Sequence, residues 1–93
     1  MKFTEKAIEA FKKEKKTENT MIRIAFEGFG WGGPKLRVVL EEQKNNDDIV
    51  IEVDNIHVVY EEALKPYIER IVVDYKNLLM IKGFYIKEGL SSC

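Results

Sequence analysis

The residue types that could carry chemistry in this chain are few. Its 93 residues contain one cysteine, Cys93, and one histidine, His57. A zinc site usually takes three or four His, Cys or carboxylate ligands, so these two do not predict one, and His57 is expected to face water. Ser91 and Ser92 lie beside Cys93, but a terminal tail cannot easily hold a nucleophile, a base and oxyanion donors in fixed geometry. We therefore expect a protein that is not an enzyme.

A glycine-rich segment, Gly28-Phe29-Gly30-Trp31-Gly32-Gly33, has the G-x-G-x-x-G spacing of a dinucleotide-binding loop. Such a loop needs a helix after it, whose N-terminus receives the pyrophosphate. Pro34 and the alternating pattern of residues 35–40 predict a strand there instead, which argues against nucleotide binding. The glycines then allow positive φ in a wide connection. Trp31 carries a large apolar ring, so we expect it to pack on the body of the protein or across an interface.

Charged groups form two further patterns. Neighbouring side chains diverge on any regular element, so the adjacent pairs Asp47-Asp48 and Glu61-Glu62 predict solvated acids rather than a dyad that shares a proton. Cations are favoured at the C-terminus of a helix, so a solvated helix end or an anion-binding patch is expected from four lysines, Lys12, Lys13, Lys15 and Lys16.

The hydrophobic pattern predicts the elements that position these residues. Thr4 is a plausible N-cap for a helix over residues 4–16. Apolar residues then alternate with period two, which predicts strands around residues 22–26, 36–40, 49–53, 56–60, 71–75 and 80–86. Asp54-Asn55 offers a two-residue hairpin turn, and Pro66 should keep a helix over residues 61–68 short. The sequence thus predicts a mainly β protein of about six strands and two helices, with mostly antiparallel pairing and a disturbed strand at Gly83.

Length and composition limit the class of protein. A chain of 93 residues with 45% hydrophobic and 33% charged residues predicts one globular domain over residues 1–93. The net charge of -1 predicts no nucleic-acid partner and no attraction of the whole molecule to an anionic membrane, although a local patch stays open. The N-terminus is charged, so no signal peptide or membrane span is expected. A single cysteine cannot form an internal disulfide, which favours the reducing cytoplasm.

The order of elements resembles that of the HesB/IscA-like family, the A-type carriers of iron-sulphur cluster assembly. The resemblance runs along the whole chain and rests on Phe3-Thr4-Glu5-Lys6-Ala7, Ile22-Arg23-Ile24 with the glycine segment, Ile56-His57-Val58-Val59-Tyr60, Leu64 to Tyr67, Val73-Asp74-Tyr75, Phe84-Tyr85-Ile86 and Ser91-Ser92-Cys93. It implies a HesB-like domain with two mixed, largely antiparallel sheets, an N-terminal helix and one short helix. It also implies a homodimer or tetramer that works with iron-sulphur assembly or client proteins.

The family resemblance implies iron or an iron-sulphur cluster held by three cysteines, one in the glycine segment and two in a C-terminal Cys-Gly-Cys. Thiolates are soft, anionic ligands that suit iron. Trp31 stands at the first of these positions, between Gly28 and Gly30 on one side and Gly32 and Gly33 on the other, and indole offers no lone pair to a metal. Cys93 matches the first cysteine of the C-terminal pair. One ligand per chain is two per dimer, fewer than the four of a usual cluster.

Two explanations of this incomplete ligand set are open. The domain has lost its metal site and acts as a metal-free dimeric interaction module, in which Trp31 fills the place of a cluster. Alternatively, the native chain continues past Cys93 with a selenocysteine, as in relatives of this family that are selenoproteins, and the selenol is the missing soft ligand.

Overall fold

The computed structural model describes residues 1–31 and 33–88. Two helices and a 3-10 turn accompany the strands in these residues. In chain order the elements are β1 (Lys2–Phe3), α1 (Glu5–Glu14), β2 (Met21–Gly30), β3 (Gly33–Glu41), β4 (Asp48–Val53), β5 (Ile56–Glu61), the 3-10 turn (Glu62–Leu64), α2 (Lys65–Ile68), β6 (Val72–Asn77) and β7 (Lys82–Glu88). Neither helix of the described residues has the length and apolar composition that a bilayer crossing requires.

The strands of the described residues form two mixed sheets. One has the order β3-β2-β5-β4 and the other the order β1-β6-β7. The pairs β2–β3, β4–β5 and β6–β7 are antiparallel, whereas β2–β5 and β1–β6 are parallel. The predicted mainly β, largely antiparallel fold is confirmed. The sequence prediction missed β1, because two residues are too short to show a period.

The core lies where α1 packs against the sheets. Alternate side chains of β2 and β5 point inward, as the period of two predicts, and they meet residues from α1, α2 and β6. Each such aliphatic side chain stabilises the fold by about 1.5–3 kcal/mol when fully buried. The fully buried members include Ala7, Ile22, Ile24, Val58, Ile71 and Val73.

Helix α1 begins where the sequence predicts. The Thr4 hydroxyl accepts a hydrogen bond from the Ala7 N–H at 3.2 Å, which satisfies one of the free donors of the first turn. The helix ends at Glu14, two residues before the predicted end, because Lys15 is already extended with ψ 137°. Ala7 and Phe11 are buried on one face, while the lysines of the last turn are exposed.

The last predicted strand was wrong at its start. Residues 78–81 do not belong to β7 but form a turn between β6 and β7, closed by a hydrogen bond from the Leu78 N–H to the Ile81 carbonyl at 2.8 Å. Met80 and Ile81 are therefore exposed rather than alternating into the core. Gly83 has φ 150°, which agrees with a disturbed backbone at that position. The predicted turn Asp54-Asn55 and the short, irregular helix at Pro66 are confirmed.

Candidate functional site

The glycine-rich segment forms the end of the β2–β3 hairpin. The strand pairing runs from Met21 opposite Glu41 to Gly30 opposite Gly33, with a register shift between Phe26 and Gly28. The expected wide connection was wrong, since the two strands pair through the glycines to the end of the hairpin. Two glycines take the expected positive φ, Gly28 at 136° and Gly33 at 115°, a region that residues with a Cβ rarely adopt.

Three aromatic residues, here called the aromatic tip, lie on this end of the hairpin: Phe26, Phe29 and Trp31. The rings of Phe26 and Phe29 meet edge to face with centroids 5.2 Å apart. Phe29 is 80% exposed and Trp31 is 107% exposed. The expectation that Trp31 packs on the body of the protein was therefore wrong. Its contact across an interface stays a prediction.

A metal site does not form among the described residues. Within residues 1–31 and 33–88, no group of three or more His, Cys, Asp or Glu side chains could hold a metal ion. His57 faces water as expected, and its Nε2 lies 3.7 Å from a carboxylate oxygen of Glu52 on the paired strand. Two of the site residues named from the sequence, Gly32 and Cys93, lie outside the described residues, as do Ser91 and Ser92.

An ion pair connects β2 with the start of β4. Arg23 donates to Asp48 at 2.6 Å and to Glu41 at 3.0 Å, and the Asp48 side chain is only 2% exposed. The hydrogen bond from Arg23 is the main cause that lowers the pKa of Asp48, and the same contact raises the pKa of Arg23. The prediction of a solvated acid was wrong for Asp48, because Arg23 pairs with it in the sheet. A local pattern does not show this partner, which is 25 residues away in sequence. Glu61 and Glu62 are exposed as predicted.

A second carboxylate, Asp74 on β6, is buried at the start of α1. It accepts hydrogen bonds from the Thr4 hydroxyl at 2.6 Å, the Tyr75 N–H at 2.8 Å and the Tyr85 hydroxyl at 3.0 Å. These bonds, with that of Thr4 the strongest, lower the pKa of Asp74, while the contact raises the pKa of Tyr85. The sequence alone does not predict this cluster, because 70 residues separate Thr4 from Asp74 and no local pattern connects them. It joins helix to sheet, and its three hydrogen bonds occupy most of the acceptor positions of the carboxylate.

Comparisons with known proteins decide the family. A family model described as iron-sulphur cluster biosynthesis matches residues 1–91. The chain belongs to this family. The resemblance to HesB/IscA-like proteins is thereby confirmed.

A curated relative and a solved structure agree with the family. The chain is 31% identical over 74 residues to the iron-sulfur cluster insertion protein ErpA of Wigglesworthia glossinidia brevipalpis. That match covers 80% of this chain, which spans 65% of the length of ErpA. The fold is similar to the crystal structure of IscA with the [2Fe-2S] cluster, with a TM-score of 0.65 and 17% identity over 95% of this chain and 82% of that one.

The donor set of the described residues does not fit an iron-sulphur cluster. Such clusters are held by Cys thiolates, and the sole cysteine of the sequence is Cys93. The position that a loop cysteine has in the family resemblance holds Trp31, which is a donor only. In the part of the chain that the structure describes, the glycine hairpin therefore presents apolar surface and no metal ligand.

Proposed function

We propose that this chain acts in iron-sulphur cluster assembly as an A-type carrier or scaffold, with iron or a cluster as its cargo. The family match over residues 1–91 is the observation that carries the proposal. The ErpA relative, whose name describes cluster insertion, supports it. The role is binding and transfer rather than catalysis, and because free thiolates persist in reducing compartments, we infer that it takes place in the cytoplasm.

The cargo would be held jointly with other molecules. Cys93 would supply one thiolate, and the two chains of a homodimer would supply two, whereas a usual cluster takes four. The remaining ligands would then come from a donor or client protein, or from chain beyond Cys93. A protein of this kind binds its cargo weakly by itself and more tightly during an encounter with the other protein, and it then releases the cargo.

A second candidate is a metal-free dimeric interaction module on the same fold. The full exposure of Trp31 and the 80% exposure of Phe29 favour it, because a large apolar surface on a soluble hairpin marks a contact site. In this case the aromatic tip would occupy the region that a cluster has in the family resemblance. The chain would then bring assembly proteins together without carrying iron.

Anaerobic reconstitution with iron and sulphide separates the two candidates. A carrier gains visible absorption that is lost in Cys93→Ser and kept in His57→Gln, the matched change of the other soft ligand. Reconstitution in the presence of a cysteine-containing client should increase the absorption, because the client completes the ligand set. Absorption that persists in Cys93→Ser would contradict the role of this thiolate.

The metal-free interaction module is tested by the oligomeric state of the protein. A protein that stays colourless even with the cysteine-containing client present, and whose oligomer by sedimentation velocity dissociates in Trp31→Ala, supports the interaction module and contradicts the carrier. The exposed Leu79 gives a matched control, since Leu79→Ala removes a similarly exposed apolar side chain from the β6–β7 hairpin. Loss of the oligomer in both variants would contradict a specific role of the aromatic tip.

A further inference from the structure

A second exposed apolar surface lies on the β6–β7 hairpin. Four consecutive residues, here called the apolar turn, connect the strands: Leu78, Leu79, Met80 and Ile81. Leu79 is 101% exposed and Met80 is 91% exposed, and the two flanking residues are more than half exposed. The aromatic tip belongs to a different hairpin, β2–β3, in the other sheet.

The composition of the apolar turn conflicts with ordinary turn chemistry. Turns favour Gly, Pro, Asn, Asp and Ser, and the β4–β5 turn of this chain, Asp54-Asn55, follows that rule. Four large apolar side chains in water are unfavourable in free energy, and they form no hydrogen bond that could stabilise the turn. Apolar residues in an exposed turn depart from the usual turn composition, and such departures are expected at functional sites, which indicates that this turn contacts another molecule or surface.

One backbone hydrogen bond closes the apolar turn, and paired strands hold its base. The Leu78 N–H donates to the Ile81 carbonyl at 2.8 Å, and Asn77 pairs with Lys82 immediately below. A segment that enters an apolar phase must satisfy its own polar backbone groups, since the phase offers no partners. The base of the hairpin meets this requirement through the pairing of Asn77 with Lys82, and the other backbone groups of the apolar turn would stay in the hydrated headgroup layer.

Lysines surround the base of the apolar turn. Lys76 and Lys82 lie on either side of it, and the Lys76 Nζ is 4.6 Å from the centroid of the Tyr85 ring. A groove between α1 and the hairpin reaches the same place and is lined by Lys6, Glu9, Lys13, Glu14, Asn77 and Lys82. With Lys76, the groove and the hairpin base together carry four lysines against two acids, Glu9 and Glu14. The surface beside the turn is thus basic although the whole chain has a net charge of -1.

We propose that the apolar turn and its lysines dock this protein on an anionic lipid surface. Aliphatic side chains enter the boundary between headgroups and acyl chains, while lysines at their base bind anionic headgroups. A symmetric contact with a second copy fits less well, because it would bring Lys76 and Lys82 toward the same lysines of the other chain. This inference does not rest on the proposed iron-sulphur function.

Vesicle sedimentation of the full chain tests the proposal. The protein should bind vesicles of phosphatidylcholine with phosphatidylglycerol, bind poorly to phosphatidylcholine alone, and dissociate at high salt. The pair Leu79→Ser and Met80→Ser should weaken binding at least about tenfold, because two aliphatic side chains no longer leave water. Lys82→Gln should weaken it about fivefold in low salt.

Matched variants keep the result specific. Phe29→Ser with Trp31→Ser removes an equally exposed apolar pair from the aromatic tip and should leave vesicle binding unchanged. Thermal unfolding of the Leu79 and Met80 variant should match the original, since these side chains make few contacts in the fold. Unchanged binding in that variant, equal loss in the control, or no binding to anionic vesicles would overturn the proposal. Self-association that only the Leu79 and Met80 variant abolishes would assign the surface to a second copy instead.

Discussion

At the scale of single residues, Asp74 connects the start of α1 with the β6–β7 hairpin. Its three hydrogen-bond donors, Thr4, Tyr75 and Tyr85, favour the charged carboxylate and so lower its pKa in the folded state. A carboxyl group whose folded pKa is below its unfolded pKa, about 3.9, stabilises the fold at pH values above the unfolded pKa. That stability is lost as the pH falls through the folded pKa.

The substitution Asp74→Asn tests this account. We expect it to lower the free energy of unfolding at neutral pH by about 1–3 kcal/mol, because a hydrogen-bonded charge is lost from a buried position. The difference from the original protein should shrink below pH 4 or so, since protonation removes the same charge there. Urea unfolding at a series of pH values measures both effects, and Asp47→Asn, at an exposed acid, is the control. Equal differences at neutral and low pH would contradict the role of the charge.

At the scale of elements, the β4–β5 hairpin depends on the backbone of its turn. Asp54 and Asn55 have φ values of 53° and 66°, so both lie in the left-handed region that a two-residue turn of this hand requires. Asparagine tolerates that region, glycine enters it freely, and a β-branched residue is strained there. The identity of these two residues therefore determines the cost of closing the hairpin.

Substitution of Asn55 should separate backbone strain from contacts, because its side chain is exposed. We expect Asn55→Val to lower the free energy of unfolding by about 1–3 kcal/mol, and Asn55→Gly to change it by less than about 1 kcal/mol. Urea unfolding measures both, with Asn46→Val in the exposed loop before β4 as control. A Val variant at position 55 that is as stable as the Gly variant would contradict the strained turn.

The secondary-structure elements were predictable from the sequence, whereas contacts between distant elements were not. Strands β2 to β6 and helix α1 follow from local periods and from a cap at Thr4, and both are properties of neighbouring residues. Met80 and Ile81 of the apolar turn were assigned to the last strand because they are apolar and directly precede it, and a local pattern of apolar residues does not distinguish an exposed turn from the start of a buried strand. The pairing of Arg23 with Asp48 joins separate strands, so it depends on the arrangement of the sheet.

The site was predictable to a smaller extent than the fold. The glycine segment and Trp31 could be located from their spacing, and the missing loop cysteine is visible in the sequence itself. The full exposure of Trp31 was not predictable, because burial of an aromatic ring depends on whether another element covers it. The hairpin extends beyond the core, so within the described residues the ring is left in water.

At the scale of the whole molecule, the middle of the larger sheet is buried. Strand β2 lies between β3 and β5, and its parallel pairing joins residues 22–24 to residues 58–60. Ile22, Ile24 and Val58 are fully buried at this junction. Both apolar ends, at Trp31 and at Met80, lie in hairpin turns outside this junction and are exposed. The fold thus combines a packed centre with two exposed apolar ends, which we expect to open locally more easily than the centre.

Amide hydrogen exchange should report this division. We expect the amides of residues 22–24 and 58–60 to exchange only by global unfolding, with protection that matches the free energy of unfolding from urea, of order 5–15 kcal/mol. The amides near Trp31 and Met80 should exchange by local opening, many orders faster, because few buried contacts hold them. Substitutions at either end would then leave the central amides unchanged, which separates an effect on partner contacts from an effect on folding. Equal protection at the ends and in the centre would contradict this division. It would mean that both hairpin ends unfold together with the core.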